Sequence, residues 1–469
     1  MELGDQAAIV MRRVKDGEPV FYTFVWRLRD GRPTTILREL TFGRALGPLL
    51  SLTGSASVWQ AGRMRVLIVG GGTRGDVAPY TGLGARLREA GHEVAIAAHA
   101  PQAGLVTGAG LAHVPLPGDP LAALTSGSFK AFREYGGQLV EGLASLTEQK
   151  TDLFLLGIAG APAFHVAEAM GVPSMGVPSM GVHLQPMEPT GEFPPVVSPV
   201  RRSLGRWGNR RAARLAFEVP AAGPLLSGLS ARMRKRLGLP AASARALYRH
   251  RESTHWPVFH GFSPLVVPRP SDWRPRLEVT GYWWPVRPGG WQPDRVLTDF
   301  LDAGPKPVFV GFGSLAGTGA EPYTELVVEA LRRAGLRGVV QTGREGPITD
   351  EVLGVGDVPH DWLFPRVAAV AHHCGGGTTG AVARAGVPAV AVPVMNDQPF
   401  WASRLAALGV APPPIPFRRL APARLADALT TALTEPRFRQ RAEALAAGVA
   451  GEDGAAPVLT AVSRLRGAR

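Results

Sequence analysis

The residues that could do chemistry are concentrated in one stretch near residue 375. An apolar run at 367–370 predicts a buried strand, glycines follow it, and 378–385 predicts a helix. A glycine turn between a strand and a helix start presents free backbone N–H groups and the positive end of the helix dipole, which suits a phosphate. The candidate phosphate ligands are His373, Gly375, Gly377, Thr378 and Thr379.

Two polar residues follow the next apolar run. Asp397 offers an acceptor and Gln398 a side-chain amide, and this pair suits the hydroxyl groups of a sugar. Taken alone, however, a glycine turn of this kind is equally typical of a helix start in any α/β domain. The prediction of a sugar site therefore has to be supported by other parts of the sequence.

A second glycine loop follows an earlier predicted strand, Met64–Val69. Gly70, Gly72 and Gly75 match the spacing of a dinucleotide-binding fingerprint, which keeps a nicotinamide dehydrogenase open as an alternative. Asp76 follows the third glycine directly, and its negative charge near a helix start disfavours a pyrophosphate.

Asp76 has two interpretations of its own. A carboxylate in a dry cleft has a raised pKa and can accept a proton as a general base. An aspartate at a helix start can also cap the helix, which stabilises it by about 1 kcal/mol. We predict a helix from about Tyr80 to Ala90 after this loop.

Both loops together resemble the signature of GT-B glycosyltransferases, in the class that contains the vancomycin-type and macrolide antibiotic and the sterol glycosyltransferases. The segments that carry the resemblance are Gly72-Thr73-Arg74-Gly75-Asp76-Val77-Ala78-Pro79, His372-His373-Cys374-Gly375-Gly376-Gly377-Thr378-Thr379, Ala385-Gly386-Val387-Pro388 and Asp397-Gln398-Pro399-Phe400-Trp401. The family usually has glycine and alanine where this chain has Cys374 and Gly376. Cys374 adds a Cβ at a position where glycine permits unusual backbone dihedral angles.

The resemblance implies a role for each candidate residue. Asp76 would be the general base, and His373 with Ser314 would stabilise the leaving diphosphate. Asp397 and Gln398 would hold the sugar. Gly72, Thr73 and Arg74 would face the donor from the first domain. The phosphates would be bound by Gly375, Gly377, Thr378 and Thr379. The base would meet Trp362 and the backbone of Leu363. For Ser314 a plain strand–helix turn, and for Trp362 a core position, remain the alternatives.

The fold implied by the resemblance is α/β, GT-B, with two Rossmann-like doubly wound domains facing a cleft. The implied reaction is an inverting transfer of a hexose from a UDP- or TDP-sugar to a hydroxyl of a lipophilic acceptor, such as a sterol, a polyketide or another aglycone. No cofactor is expected. No Asp-x-Asp motif occurs in the sequence, which argues against a donor site built on a divalent cation. A glycosyltransferase-like protein that binds without turnover is the remaining alternative.

Composition limits the other classes of function. The chain has 469 residues, of which 45% are hydrophobic and 19% charged, so we expect a globular protein of two domains. A single cysteine excludes an internal disulfide and permits a reducing compartment, the cytoplasm. The net charge of +13 comes mainly from scattered arginines, without a nucleic-acid-binding motif. No apolar run reaches the roughly 18 residues that a membrane span needs.

The predicted organisation follows from these patterns. We predict an N-terminal extension at 1–63, either a disordered segment or a mis-assigned start, with a packing arm as the alternative. The domains are an acceptor domain at 64–281, a linker at 282–304, and a nucleotide-sugar domain at 305–469 whose last helix returns to the first domain.

Two local features remain in the acceptor domain. The sequence Gly-Val-Pro-Ser-Met occurs twice in succession over 171–180, which predicts a bulge or a register shift. Arginines from Arg201 to Arg236 are interleaved with leucines and Trp207. They predict a solvated helix face or a weak peripheral contact with anionic lipid.

Overall fold

The structure, a computed structural model, describes most of the chain from residue 63 onward. The described ranges are 63–120, 122, 128–158, 160–178, 189–194, 203–222, 224–313, 321–341, 345–395 and 397–467, together with three N-terminal strands. The chain divides into two compact units, Met1–Gly62 and Arg63–Arg469.

The first unit holds a small antiparallel sheet, which the sequence analysis did not predict. Its strands are β1 (Ala7–Lys15), β2 (Glu18–Arg29) and β3 (Arg32–Leu40), paired in that order. The segment Val20–Trp26 is rich in β-branched and aromatic residues, which explains the strand there. The mis-assigned start at 1–63 stays a prediction.

The first domain of the second unit is built on a seven-stranded parallel sheet. Its strands are β4 (Arg65–Val69), β5 (Glu93–His99), β6 (Ala112–Leu116), β7 (Leu153–Leu156), β8 (Ser174–Gly176), β9 (Val258–His260) and β10 (Leu277–Val279), in the order β10-β9-β8-β7-β4-β5-β6. The central β7 is buried along its whole length, as expected for a sheet with both faces covered.

Seven helices belong to this domain. They are α1 (Arg74–Glu89), α2 (Ala103–Gly108), α3 (Phe129–Ala144), α4 (Phe164–Met170), α5 (Gly205–Ala222), α6 (Pro224–Arg236) and α7 (Ala244–Ser253), within the described residues. The predicted start of the first helix near Tyr80 is wrong. The helix begins at Arg74 because Thr73 and Asp76 cap it reciprocally, so the segment predicted as a loop is its first turn.

The second domain repeats the pattern on a six-stranded sheet. Its strands are β11 (Val308–Gly311), β12 (Gly338–Gln341), β13 (Gly346–Thr349), β14 (Val352–Val355), β15 (Val370–His372) and β16 (Ala389–Ala391), in the order β13-β14-β12-β11-β15-β16. All neighbouring pairs are parallel except β13 with β14.

The helices of this half complete the layers. They are α8 (Arg295–Asp302), α9 (Glu321–Ala334), α10 (His360–Leu363), α11 (Gly376–Ala385), α12 (Gln398–Ala407), α13 (Pro422–Thr434), α14 (Pro436–Ala450) and α15 (Ala456–Gly467). Helix α8 lies inside the stretch predicted as linker, because Asp294 caps it by accepting from the N–H of Val296. Helix α11 begins two residues earlier than predicted.

Two connections join the domains. In the last helix, α15, Val458 and Val462 share a buried core with Ile68 of β4 and Leu83 of α1. The linker crosses α1 at Gly82, where an added Cβ would overlap the carbonyl oxygen of Trp284.

Hydrogen bonds fix the linker in this position. Trp283 Nε1 donates to the Gly454 carbonyl at 2.8 Å, and the Val286 N–H donates to Thr81 Oγ1 at 3.0 Å. The linker backbone is therefore held against the helix that carries Asp76.

The duplicated segment is partly accounted for. The first copy supplies β8, and the chain stays on the sheet into the second copy, because the Val177 N–H donates to the Leu156 carbonyl at 2.8 Å. The Pro178 carbonyl then accepts from the Gly261 N–H at 3.1 Å. The predicted bulge falls on 179–188, outside the described residues.

None of the helices in the described part of the chain combines the length and the apolar character that crossing a membrane requires.

Replacing Gly82 by alanine tests the contact between linker and helix. We expect Gly82→Ala to lower the free energy of unfolding by about 1–3 kcal/mol, because the new methyl group must push the Trp284 backbone away. The matched control is Gly137→Ala in α3, where an added Cβ meets nothing within 4 Å. That change should raise stability by about 0.5–1 kcal/mol. Urea unfolding measures both, and equal stability of the two variants would contradict the contact.

Candidate active site

The carboxylate of Asp76 is enclosed by its own loop. Asp76 Oδ2 accepts from the Thr73 N–H at 2.7 Å and from Thr73 Oγ1 at 2.8 Å. Gly72 has a φ of +120°, and a Cβ there would lie 2.5 Å from the same oxygen. Asp76 is half-buried at the third position of α1. The N-cap residue is therefore Thr73 and not Asp76, which instead closes the first turn from the third helical position and accepts from the hydroxyl of Thr73.

A second polar pair at this edge was missed by the sequence analysis. The Tyr135 hydroxyl of α3 lies 3.2 Å from His99 Nε2, and His99 is fully buried at the end of β5. Burial lowers the pKa of His99 and raises the pKa of Tyr135 to about 12, with the charge of Asp76 adding to the rise for Tyr135. The position of His99 at the carboxyl end of a parallel strand was the available signal.

An ion pair at this edge joins the first domain to the second. Arg74, the first residue of α1, lies 3.7 Å from the carboxylate of Asp357, which follows β14. Both side chains are exposed, so the pair adds little stability. The contact is informative about geometry, because it shows that the start of α1, which carries Asp76, faces the carboxyl edge of the second sheet.

On that second edge, His373 is packed between two glycine turns. A Cβ at Gly313, where φ is +67°, would lie 2.7 Å from His373 Cε1, and a Cβ at Gly375 would lie 2.5 Å from His373 Nε2. The Nδ1 atom is buried without a hydrogen-bond partner among the described residues. Burial lowers the pKa of His373 to about 4, against a smaller raising effect of the Gly311 carbonyl. The ring is therefore neutral at pH 7.

Two further histidines lie close enough to influence one another's titration. Burial, with the neighbouring histidine His373 as the next cause, lowers the pKa of His372 to about 3 and that of His360 to about 4. In the described part of the chain, no group of His, Cys, Asp or Glu is arranged to hold a metal ion. Backbone dipoles at this edge also offer positive potential to an anion.

Those dipoles belong to α11. The first intrahelical bond runs from the Thr379 N–H to the Gly375 carbonyl at 2.8 Å, so the N–H groups of Gly376, Gly377 and Thr378 precede it. Gly377 is exposed, with open space at its Cβ position, and Thr378 is half-buried. Thr379 is fully buried, and its hydroxyl has no partner among the described residues.

The predicted sugar ligands are both buried and both partly engaged. Asp397 Oδ2 accepts from Trp401 Nε1 at 2.7 Å. Gln398 Oε1 accepts from the N–H groups of Val394 and Met395 at 2.8 and 3.1 Å, which leaves the amide nitrogen as the end that can meet a ligand. Burial raises the pKa of Asp397 to about 7; the Trp401 hydrogen bond opposes this rise and the charge of Asp76 adds to it.

The remaining predicted residues have a mixed outcome. Ser314 lies outside the described residues. Trp362 is half-buried, with the Arg366 guanidinium 4.5 Å from its ring centre and Trp291 edge-on at 5.5 Å. The Leu363 N–H donates to the Pro359 carbonyl at 3.0 Å, so its carbonyl oxygen is the backbone group that could meet a base. Base stacking on Trp362 stays a prediction.

Cys374 occupies the turn with a strained backbone. Its φ is +62°, which confirms that this position requires the dihedral angles that glycine favours. The side chain is fully buried in the core, with Sγ 3.5 Å from the His372 carbonyl, and burial raises the pKa of the thiol. The cysteine is thus an unreactive apolar group that carries strain.

Two substitutions separate that strain from the packing. We expect Cys374→Gly to be more stable than Cys374→Ala by about 1 kcal/mol, because the alanine keeps the Cβ that disfavours a positive φ. Both variants lose the buried sulfur, so each is the other's control in thermal and urea unfolding. An alanine variant as stable as the glycine variant would refute the strain.

The raised pKa of Asp397 makes a prediction about pH. The pKa of this carboxyl is near 7 in the folded protein and 3.8 when the group is exposed, so the folded protein binds more protons. Ionisation of Asp397 therefore lowers the free energy of unfolding progressively as pH rises from about 4 to 7. Asp397→Asn, which can still accept from Trp401, should therefore gain stability relative to the wild type as pH increases across that range. Urea unfolding at pH values spanning that range measures the difference. A difference that does not change with pH would show that Asp397 titrates normally.

Comparison with known proteins matches both halves of the second unit. Residues 66–175 match the glycosyltransferase family 28 N-terminal domain, and residues 340–465 match the erythromycin biosynthesis protein CIII-like, C-terminal domain. The glycosyltransferase VinC, solved in complex with DTDP, superposes with a TM-score of 0.60 at 23% identity over 87% of this chain and 100% of that chain. This likeness shows the GT-B fold that the sequence analysis predicted.

A relative that is matched along nearly its whole length shows the family. The O-mycaminosyltylonolide 6-deoxyallosyltransferase of Streptomyces fradiae is 36% identical over 83% of this chain and 95% of its own length. A sterol 3-beta-glucosyltransferase of Arabidopsis thaliana is 34% identical over 85% of this chain, but the match spans only 65% of that longer protein. The chain belongs to the GT-B glycosyltransferase family that includes these macrolide and sterol glycosyltransferases.

Proposed function

We propose that this chain transfers a hexose from a UDP- or TDP-sugar to a hydroxyl of a lipophilic acceptor, a sterol, a polyketide or another natural-product aglycone, with inversion at the anomeric carbon. The observation that carries the proposal is the 3.7 Å contact of Arg74 with Asp357, which brings the start of α1 against the donor edge. The relatives' names, a sterol and a macrolide glycosyltransferase, support the acceptor class.

The acceptor side of the reaction depends on Asp76. Its carboxylate accepts the proton of the acceptor hydroxyl while that oxygen forms a bond to the anomeric carbon and the bond to the diphosphate breaks. The two Thr73 hydrogen bonds both end on Oδ2, and they hold the carboxylate in one orientation for this transfer. The His99–Tyr135 pair, uncharged at pH 7, forms part of the same wall.

The donor side stabilises the charge that develops on the leaving diphosphate. The free N–H groups at the start of α11 and the neutral His373 ring would bind its oxygens, and Ser314 is a further ligand by the family resemblance. A bound diphosphate would also raise the pKa of His373, because a nearby negative charge favours the protonated ring. This arrangement needs no metal ion and no further cofactor.

The sugar and the base complete the donor. The carboxylate of Asp397 and the amide nitrogen of Gln398 would hold the sugar hydroxyls, and Arg74 with the Gly72–Thr73 turn would face the sugar from the first domain. The Leu363 carbonyl would meet the base edge, and Trp362 would stack on the base through the ring area that Arg366 and Trp291 do not cover.

A non-catalytic binding role remains the rival, and one observation favours it. Asp76 is engaged in capping α1, so a structural reason alone explains its presence. A nicotinamide-dependent enzyme is the weaker rival, since Asp76 lies at the helix start where a pyrophosphate would bind. The two rivals predict different ligands and different rates.

Replacing Asp76 by asparagine distinguishes its proposed role as general base from its role in capping α1. The amide oxygen can still accept from the Thr73 N–H, so α1 should form normally, but the side chain cannot take a proton. We expect kcat for transfer to fall by about 10²–10⁴ while the KM for the nucleotide sugar stays nearly constant. A variant with wild-type kcat would remove Asp76 as the base.

The function itself is tested by thermal shift and diphosphate release with a panel of UDP- and TDP-sugars and NAD(P), using lipophilic alcohols as acceptors. We expect stabilisation and slow diphosphate release with one nucleotide sugar, both lost in Asp397→Ala. Stabilisation without release, with or without an acceptor, would favour the non-catalytic role. A shift with NAD(P) alone would overturn the glycosyltransferase proposal.

A further inference from the structure

The start of α5 presents apolar side chains to solvent. Leu204 is 54% exposed and Trp207 75% exposed, the largest exposures among the large hydrophobic residues described. Arg211 and Arg214 are exposed on the same face, one and two turns further along the helix. Buried Asn209 and Ala213 define the opposite, inward face. The helix therefore has an outer face of mixed apolar and cationic character.

This outer face is held rigidly. Asn209 Oδ1 accepts from the Leu204 N–H at 2.8 Å, and its Nδ2 donates to the Gly191 carbonyl at 3.1 Å. Asp272 accepts in turn from the Gly191 N–H at 2.8 Å and from Thr190 Oγ1 at 2.6 Å. Because the helix start is tied down by these bonds, the indole of Trp207 is projected outward by the fold.

The charges around the indole are positive. The Arg211 guanidinium lies 5.4 Å from the centre of the Trp207 ring, and Arg206 and Arg210 flank it. Among the described residues, two carboxylates lie nearby, Glu192 at 3.6 Å from Arg206 and Asp272 at 3.9 Å from Arg210, so that four described arginines face two acids. An aromatic ring and a leucine surrounded by arginines are typical of surfaces that rest in the headgroup region of an anionic bilayer.

We propose that Leu204, Trp207, Arg210, Arg211 and Arg214, which we call the α5 surface, bind the headgroup region of an anionic phospholipid bilayer. The positive charge of the surface favours an anionic bilayer over a second copy of the chain, because a second copy would bring the same positive face against itself. The indole and the leucine enter the interface, and the guanidinium groups meet the lipid phosphates. Lipid binding does not depend on catalysis, although it would bring the acceptor domain to membranes in which a lipophilic acceptor dissolves.

The test is co-sedimentation of the full chain with phosphatidylcholine vesicles and with vesicles that contain about 30% phosphatidylglycerol. We expect binding to the anionic vesicles only, and weaker binding as the salt concentration rises. Trp207→Ala and the double variant Arg211→Gln/Arg214→Gln should each reduce the bound fraction several-fold at unchanged thermal midpoint.

The matched controls lie on α8 of the other domain. Val296 is an exposed apolar residue and Arg295 an exposed arginine, so Val296→Ala and Arg295→Gln should bind anionic vesicles like the wild type. Absence of binding, equal binding to neutral vesicles, or control variants as weak as Trp207→Ala would overturn the proposal. A dimer in solution that Trp207→Ala dissociates would overturn it as well, because the surface would then be a self-association interface.

Discussion

The donor side of this protein depends on the close packing of one imidazole ring against two backbone turns. His373 fills the space that Gly313 and Gly375 leave by lacking a Cβ, so the turns after β11 and β15 are fixed to each other through the ring. The same burial keeps His373 neutral, and His360 and His372 with it. The proposed diphosphate site would thus be built largely from oriented N–H groups, which require no charged side chain to be removed from water.

On the proposed acceptor side, a single carboxylate would serve both the fold and the chemistry. Asp76 closes the first turn of α1 through Thr73, and that hydrogen bonding limits the orientations it can adopt in the cleft. Stability and activity would therefore be linked at this residue, since a substitution that abolishes the cap would also move the start of α1 and with it Arg74. Asparagine is informative because it keeps the acceptor oxygen and removes the basicity.

Much of this could be predicted from the sequence, because glycine loops after apolar runs and the segment from Asp397 to Trp401 are local patterns. The alternation of strands and helices gave the two sheets, and the glycine-like backbone at Cys374 followed from the family pattern. Helix starts were less predictable. A proline such as Pro79 usually marks the end of a helical segment, but the Thr73–Asp76 cap starts α1 before it. The His99–Tyr135 pair and the Arg74–Asp357 contact join residues far apart in sequence, so only the tertiary structure reveals them.

The crossing of the linker at Gly82 has a mechanical consequence. If the domains rotate against each other, this contact is the natural pivot, because two backbones that touch without a side chain between them resist sliding. Arg74 lies eight residues away along α1, about 12 Å at the usual helical rise. A rotation of about 10° at the pivot would then displace Arg74 by about 2 Å, enough to break its 3.7 Å contact with Asp357 while the core around the linker stays packed. The helix that carries Asp76 would act as the lever by which the cleft opens to admit its substrates and closes before transfer.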